Sequence, residues 1–148
     1  MIHVKTHPDV MDVDLVRRAA RGALEHQSAS RQDDLTIVLT DDEQLRSLNR
    51  EYLGIDAPTD VLSFPASESD PETGARYLGD ILISVPRAAA QAQSAGHSLQ
   101  DEVQLLVVHG VLHLLGHDHA EAEEKARMWA AEAEVLERLG LSHIRIQE

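Results

Sequence analysis

The sequence contains no cysteine among its 148 residues. That excludes a disulfide scaffold and every zinc finger built on thiolates, so any metal this chain holds must be held by His, Asp or Glu. Long apolar runs are missing as well. No stretch approaches the roughly 18 unbroken apolar residues of a membrane span, and the opening MIHVKTHPDV has neither the basic head nor the apolar core of a signal peptide. The expectation is a cytoplasmic protein with no membrane partner. Basic residues are scarce: 13 Lys and Arg face 26 Asp and Glu, a net charge of -13, so the chain as a whole repels polyanions. A local patch can run against that average. Arg17, Arg18 and Arg21 fall within two turns of one predicted helix, and Arg31, Arg46 and Arg50 lie in the same half of the chain. They form a candidate RNA-facing stripe, although solvated helix faces commonly carry such charges without function. Repeats, low-complexity tracts and domain linkers are absent. With 43% apolar and 26% charged residues, positions 1–148 read as one globular domain.

What is present is a mixture of periodicities. IHVKT reads as a short strand, and Val13 to His26 as an amphipathic helix through Val13, Leu15, Val16, Ala20 and Leu24. LTIVLT (35–40) is rich in β-branched residues and reads as a buried strand. Thr40 followed by Glu43 matches a capping box, predicting a helix that carries Leu45, Leu48 and Tyr52 inward. DVLSFP (60–65) reads as a strand stopped by Pro65, ASESDPETGA (66–75) as a mobile loop, and YLGDILISV (77–85) as the next strand. Pro86 opens an alanine-rich helix ending near Gly96. Ser98 and Asp101 form a second capping pattern before a helix through Val103, Leu106, Val107, Gly110 and Leu114. A last helix, Glu121 to Leu139, is stopped by Gly140. No regular βαβ rhythm is apparent, which predicts an α+β fold: a small mixed sheet covered by helices, with a metal-binding helix near the C-terminus.

The chemistry concentrates in HGVLHLLGHDH (109–119), which holds four of the nine histidines. Residues four apart share a helix face, so His109 and His113 can offer two imidazoles to one ion. Gly116 allows the chain to turn back and bring His119 round as the third ligand of a single zinc ion. Three protein nitrogens leave a fourth position open, the arrangement of a catalytic site. His117 also lies four residues after His113, but it follows the expected helix end and reads as a rim side chain. Asp118 reads as an acceptor that orients an imidazole or as a cap. Zinc peptidases of the HExxHxxGxxH type share this histidine spacing but place a glutamate after the first histidine, where this chain has Gly110.

These residues resemble the YbeY type of single-strand-specific endoribonuclease, implicated in ribosomal RNA maturation and ribosome quality control. The resemblance rests on HGVLHLLGHDH, on PTDVLSFP (58–65) and on LGDILIS (78–84), and in layout it covers nearly the whole chain. It implies a zinc ion on His109, His113 and His119, an α+β fold and a single-stranded or ribosomal RNA substrate. Zinc-activated water would hydrolyse the phosphodiester, with His117 or Asp118 as candidate proton relays. One position departs from the pattern. Where the family commonly has arginine in a Y-R-G-x-D segment, this chain reads YLGID, with Leu53 in place of the phosphate anchor. Arg50, Arg76 or Arg87 are the candidates to compensate, Arg50 and Arg76 foremost. The alternative is a non-catalytic ribosome-assembly module that docks on a ribosomal protein or a ribosome-associated GTPase, its zinc acting as a staple. A zinc peptidase is the third reading, and Gly110 argues against it.

Overall fold

The structure, a computed structural model, describes residues 2–6, 11–29, 32–117 and 121–144. Nine elements follow one another there: β1 (Ile2–Thr6), α1 (Val13–His26), β2 (Asp34–Thr40), α2 (Asp42–Leu53), β3 (Val61–Ser69), β4 (Arg76–Ser84), α3 (Val85–Ala95), α4 (Leu99–Leu114) and α5 (Ala122–Arg138). The four strands form one mixed sheet in the order β1-β2-β4-β3, in which only β3 runs antiparallel to its neighbour. The α+β class with a small helix-covered sheet is therefore the observed one. One strand-helix-strand unit does occur, since β1 and β2 are parallel and α1 supplies the crossover that parallel neighbours require.

Alternation along the strands divides the apolar residues between two faces. Leu35, Ile37, Leu39, Ile81 and Ile83 point into the main core, which they share with α1, α4 and α5. The opposite face is smaller: Leu62, Leu82, Val38 and Phe64 meet Leu45 and Leu48 of α2. Helix α4 runs through the middle, packing on α1, α3, α5, β3 and β4. Every residue from Glu102 to Val108 is buried in consequence.

Short polar side chains set the starts of α1 to α4. Ser98 Oγ accepts the Asp101 N–H at 3.1 Å, as its spacing predicts. The cap of α2 is Asp41 rather than Thr40: Asp41 Oδ1 accepts the Gln44 N–H at 2.9 Å. Thr40 is held in the β2–β4 ladder opposite Ser84, so its backbone belongs to the sheet. Strand β3 also passes through Pro65 to Ser69, with a register irregularity between Pro65 and Glu68, and the turn begins only at Asp70. The reason is topological, because β3 is an edge strand of the sheet among the described residues and proline's missing N–H is tolerated at an edge. Tyr52, expected inward, is 61% exposed. Its ring meets Phe64 edge-on at 5.3 Å, and no strand lies beyond β3 among the described residues to cover it.

Candidate metal centre

Helix α4 delivers His109 and His113 to one place. Their Nε2 atoms stand 3.0 Å apart and their rings cross at 71°. The helix stops just beyond them, where the Gly116 N–H reaches His113 O at 3.0 Å and the His117 N–H reaches Leu112 O at 3.0 Å. Gly116 has a φ of 99°, so glycine is what lets the chain leave the helix there. The helix is seated by Gly110, which lies flat against Ile81 of β4, and by Ser63 of β3, whose hydroxyl donates to Gly110 O at 3.3 Å. Ser63, a polar residue within the DVLSFP strand, thus anchors the histidine helix to the sheet. Asp80, polar within the neighbouring strand, accepts a hydrogen bond from the Tyr77 hydroxyl, which also bonds Thr36 Oγ1 at 2.6 Å. Burial and the neighbouring Asp80 push the Tyr77 phenol above its ordinary range.

The ring of His109 is oriented from behind. Its Nδ1–H donates to Oε1 of Glu132 on α5, a residue with no solvent exposure. With the proton on Nδ1, the neutral ring keeps a lone pair on Nε2, pointed at His113. The other oxygen of Glu132, Oε2, is buried without a hydrogen-bond partner among the described residues. Sequence reasoning passed over Glu132, although a signal was there. It interrupts the buried stripe Met128, Ala131, Val135 and Leu136, and a carboxylate in such a stripe calls for a specific partner.

Two convergent imidazole nitrogens, one with its tautomer fixed by a carboxylate, are a suitable donor pair for zinc. Ligands about 2.0–2.1 Å from a tetrahedral ion lie about 3.3 Å from each other, so a slight rotation of either ring accommodates it. The donors present therefore fit the group. His119 and Asp118 lie outside the described residues, among which no cluster of three or more ligating side chains occurs. His117 is turned to α1: its Nε2 meets Gln27 Oε1 at 2.7 Å, Gln27 Nε2 donates to His26 Nδ1 at 2.8 Å, and His26 Nε2 donates to Glu134 at 2.5 Å. One nitrogen of His117 is thereby engaged by α1, away from the pair.

The arginines sort by what already holds them. Arg76 bonds Asp33 through both its guanidinium, at 2.8 Å, and its backbone N–H, at 3.2 Å, and Asp33 is buried. Arg87 faces Asp42 at 3.4 Å, where a hydrogen bond from Ser84 first, then Arg87, holds the Asp42 carboxyl below its ordinary range. Arg46 pairs with Asp56 at 2.8 Å. Arg17 and Arg18 donate to backbone carbonyls of Ile2 and Leu139, while Arg31 lies outside the described residues. Arg50, exposed on the last turn of α2, makes no hydrogen bond or ion pair among the described residues and acts on Asp56 only at longer range. It stands one helical turn before Leu53, which is 58% exposed.

Comparison with known proteins agrees with this architecture. A family model described as Endoribonuclease YbeY matches residues 4–140. A protein named Endoribonuclease YbeY from Pelotomaculum thermopropionicum is 47% identical over 131 residues, covering 86% of each chain. One of the same name from Roseiflexus sp. is 45% identical over 138 residues, covering 89% of this chain and 86% of its own. The solution structure of TM1509 from Thermotoga maritima superposes with a TM-score of 0.59 at 23% identity, covering 98% of this chain and 97% of that one, a likeness of fold. With a family match spanning both strand motifs, the whole of α4 and the carboxylate behind His109, the chain belongs to the YbeY endoribonuclease family.

Proposed function

We propose that this chain is a metal-dependent endoribonuclease that hydrolyses phosphodiester bonds in single-stranded RNA, in ribosomal RNA maturation and quality control in the cytoplasm. Family membership supports RNA cleavage in general. The observation that carries the metal-dependent reading is the pair of Nε2 atoms 3.0 Å apart on a helix whose orientation is locked by Gly110 and Ser63. His109, His113 and His119 would hold one zinc ion. Zinc at such a site supplies Lewis acidity toward a phosphoryl oxygen and toward water. The chain's own part is to present lone pairs at fixed positions and to bring RNA phosphate against them. Arg50 is the residue proposed for that phosphate contact, as its guanidinium is uncommitted where that of Arg76 is spent on Asp33. The test is cleavage of a labelled single-stranded RNA by zinc-loaded protein beside His113→Ala prepared identically. Cleavage lost in the variant supports the reading, whereas equal trace cleavage by both would assign it to a contaminant.

A second reading draws on Tyr52, Leu53 and Ile55, which are 61%, 58% and 53% exposed at the end of α2. Such a patch, on a chain of net charge -13, suits an assembly module that docks on a ribosomal protein or ribosome-associated GTPase, with zinc as a staple. It predicts metal-dependent stability without metal-dependent cleavage.

A further inference from the structure

We infer that Glu132 is a positioning residue of the metal centre: it fixes the tautomer of His109 and supplies the buried countercharge for a divalent cation on the far side of that ring. The inference rests on the metal reading above and deepens it. A carboxyl group with no solvent exposure has to be explained by what it meets, because burying one is costly unless partners compensate. Packing does not explain it. The neighbours of Glu132 on the buried side of α5 are Met128, Ala131, Val135 and Leu136, and a leucine or methionine would continue that stripe at similar volume. What the carboxyl group touches is His109, through Oε1 and the Nδ1–H. That bond determines which nitrogen of His109 carries the proton, and the lone pair falls on Nε2, the atom facing His113. The imidazole ring stands between Glu132 and the ion, so Glu132 acts through His109 and is not itself a ligand.

The second oxygen completes the argument. Oε2 is buried with no hydrogen-bond partner among the described residues, so the group carries acceptor capacity that the fold does not use. A fold selected for stability alone would discard such a group, since replacing a buried ionic pair by apolar side chains is often neutral or stabilising. A carboxylate one imidazole away from a divalent cation raises the basicity of that ligand and offsets its charge, which gives the retained group a purpose.

The experiment uses the full chain as wild type, Glu132→Gln and Glu132→Leu, with zinc affinity measured by competition against a chromophoric chelator. The melting temperature of each metal-free protein and the His109 tautomer, from nitrogen-15 correlation spectra of the metal-free state, complete the set. Glutamine retains an oxygen to accept the Nδ1–H but carries no charge, so it should preserve the tautomer and weaken zinc binding by less than leucine does. Leucine should lose the tautomer and weaken zinc binding about ten- to a hundred-fold, more than any change in the melting of the metal-free protein accounts for. A leucine variant that binds zinc as tightly as wild type overturns the inference. So does one whose affinity falls only as far as its metal-free fold is lost, because that marks a merely structural residue. Wild-type protein that takes up no zinc overturns the metal reading itself, a result distinct from either.

Discussion

Gly110 and Ile81 are in contact across the helix–sheet interface so closely that a β-carbon on Gly110 would lie 2.8 Å from Cγ2 of Ile81. This accounts for the residue that separates the chain from zinc peptidases: no side chain, let alone glutamate, fits after the first histidine while α4 rests on β4. Gly110→Ala should therefore destabilise the protein despite alanine's helix propensity. Ile81 is fully buried and branched at the contact, so about 3 kcal/mol of overpacking opposes about 1 kcal/mol gained in the helix, a net loss of about 2 kcal/mol. Urea unfolding measures it. Combined with Ile81→Ala, the loss should be smaller than the sum of the two single changes, and strict additivity would refute the contact.

Gly79 is under a harder constraint. Its φ is 136°, and a β-carbon there would come within 2.2 Å of Phe64 O and 3.0 Å of Leu114 Cδ2. Gly79→Ala should cost about 3–5 kcal/mol, from backbone strain together with the displaced edge strand. The expected outcome is poor soluble yield or a sharply lowered melting temperature, and near-wild-type stability would show that the edge strand yields freely.

Arg50 and Arg76 should respond to substitution in opposite ways. Arg50→Ala should leave the melting temperature within a degree or two while reducing the salt dependence of RNA binding by about one unit of slope. Arg76→Ala should leave that slope alone and cost about 1–3 kcal/mol, because it strips a buried Asp33 of its charged donor. Leu53→Arg, adding a guanidinium one turn beyond Arg50, should strengthen RNA binding and raise cleavage. Fluorescence anisotropy over a salt series, paired with thermal melts, separates the effects. Identical slopes for wild type and Arg50→Ala would remove Arg50 from the RNA surface.

A buried pair at the start of α4 should shape the pH dependence of stability. His97 Nε2 meets Glu102 Oε1 at 2.5 Å with both side chains buried. Burial pushes the Glu102 carboxyl above its ordinary value of 4.5, against the opposing hydrogen bond from His97. Between the ordinary value and the raised one, the folded chain keeps a proton that the unfolded chain has released. Stability from this group is thus complete below 4.5 and declines as pH rises through the folded value. Glu102→Gln should flatten that limb of the profile, as read by unfolding at a series of pH values, and a superimposable profile would show that the pair does not titrate there.

Much of this arrangement is readable in the residues, for local reasons. Helix α1 occupies Val13–His26 and α4 starts at the Ser98 cap because caps and apolar spacing are decided within a turn or two. The His109–His113 pair is readable on the same grounds, since four residues along a helix is a geometric fact. The failures are all non-local. Pro65 ends a strand in isolation but not on the outer edge of a sheet, and whether β3 is outermost depends on how β2 and β4 pair. Tyr52 follows the inward spacing of α2 yet emerges into solvent, since no strand lies beyond β3 among the described residues to cover it. Thr40 yields the cap to Asp41 because a strand partner claims it. Glu132 stands 23 residues from His109 in sequence, and only the docking of α5 on α4 brings the two together.

The enclosure of α4 by three helices and two strands has a kinetic meaning. Backbone amides from Glu102 to Val108 are buried throughout, so they should belong with the slowest-exchanging hydrogens, released by global unfolding. His109 and His113 continue that same helix. Their mutual placement is settled when the chain folds, so any ligand that binds there would meet side chains whose entropy of ordering has already been lost.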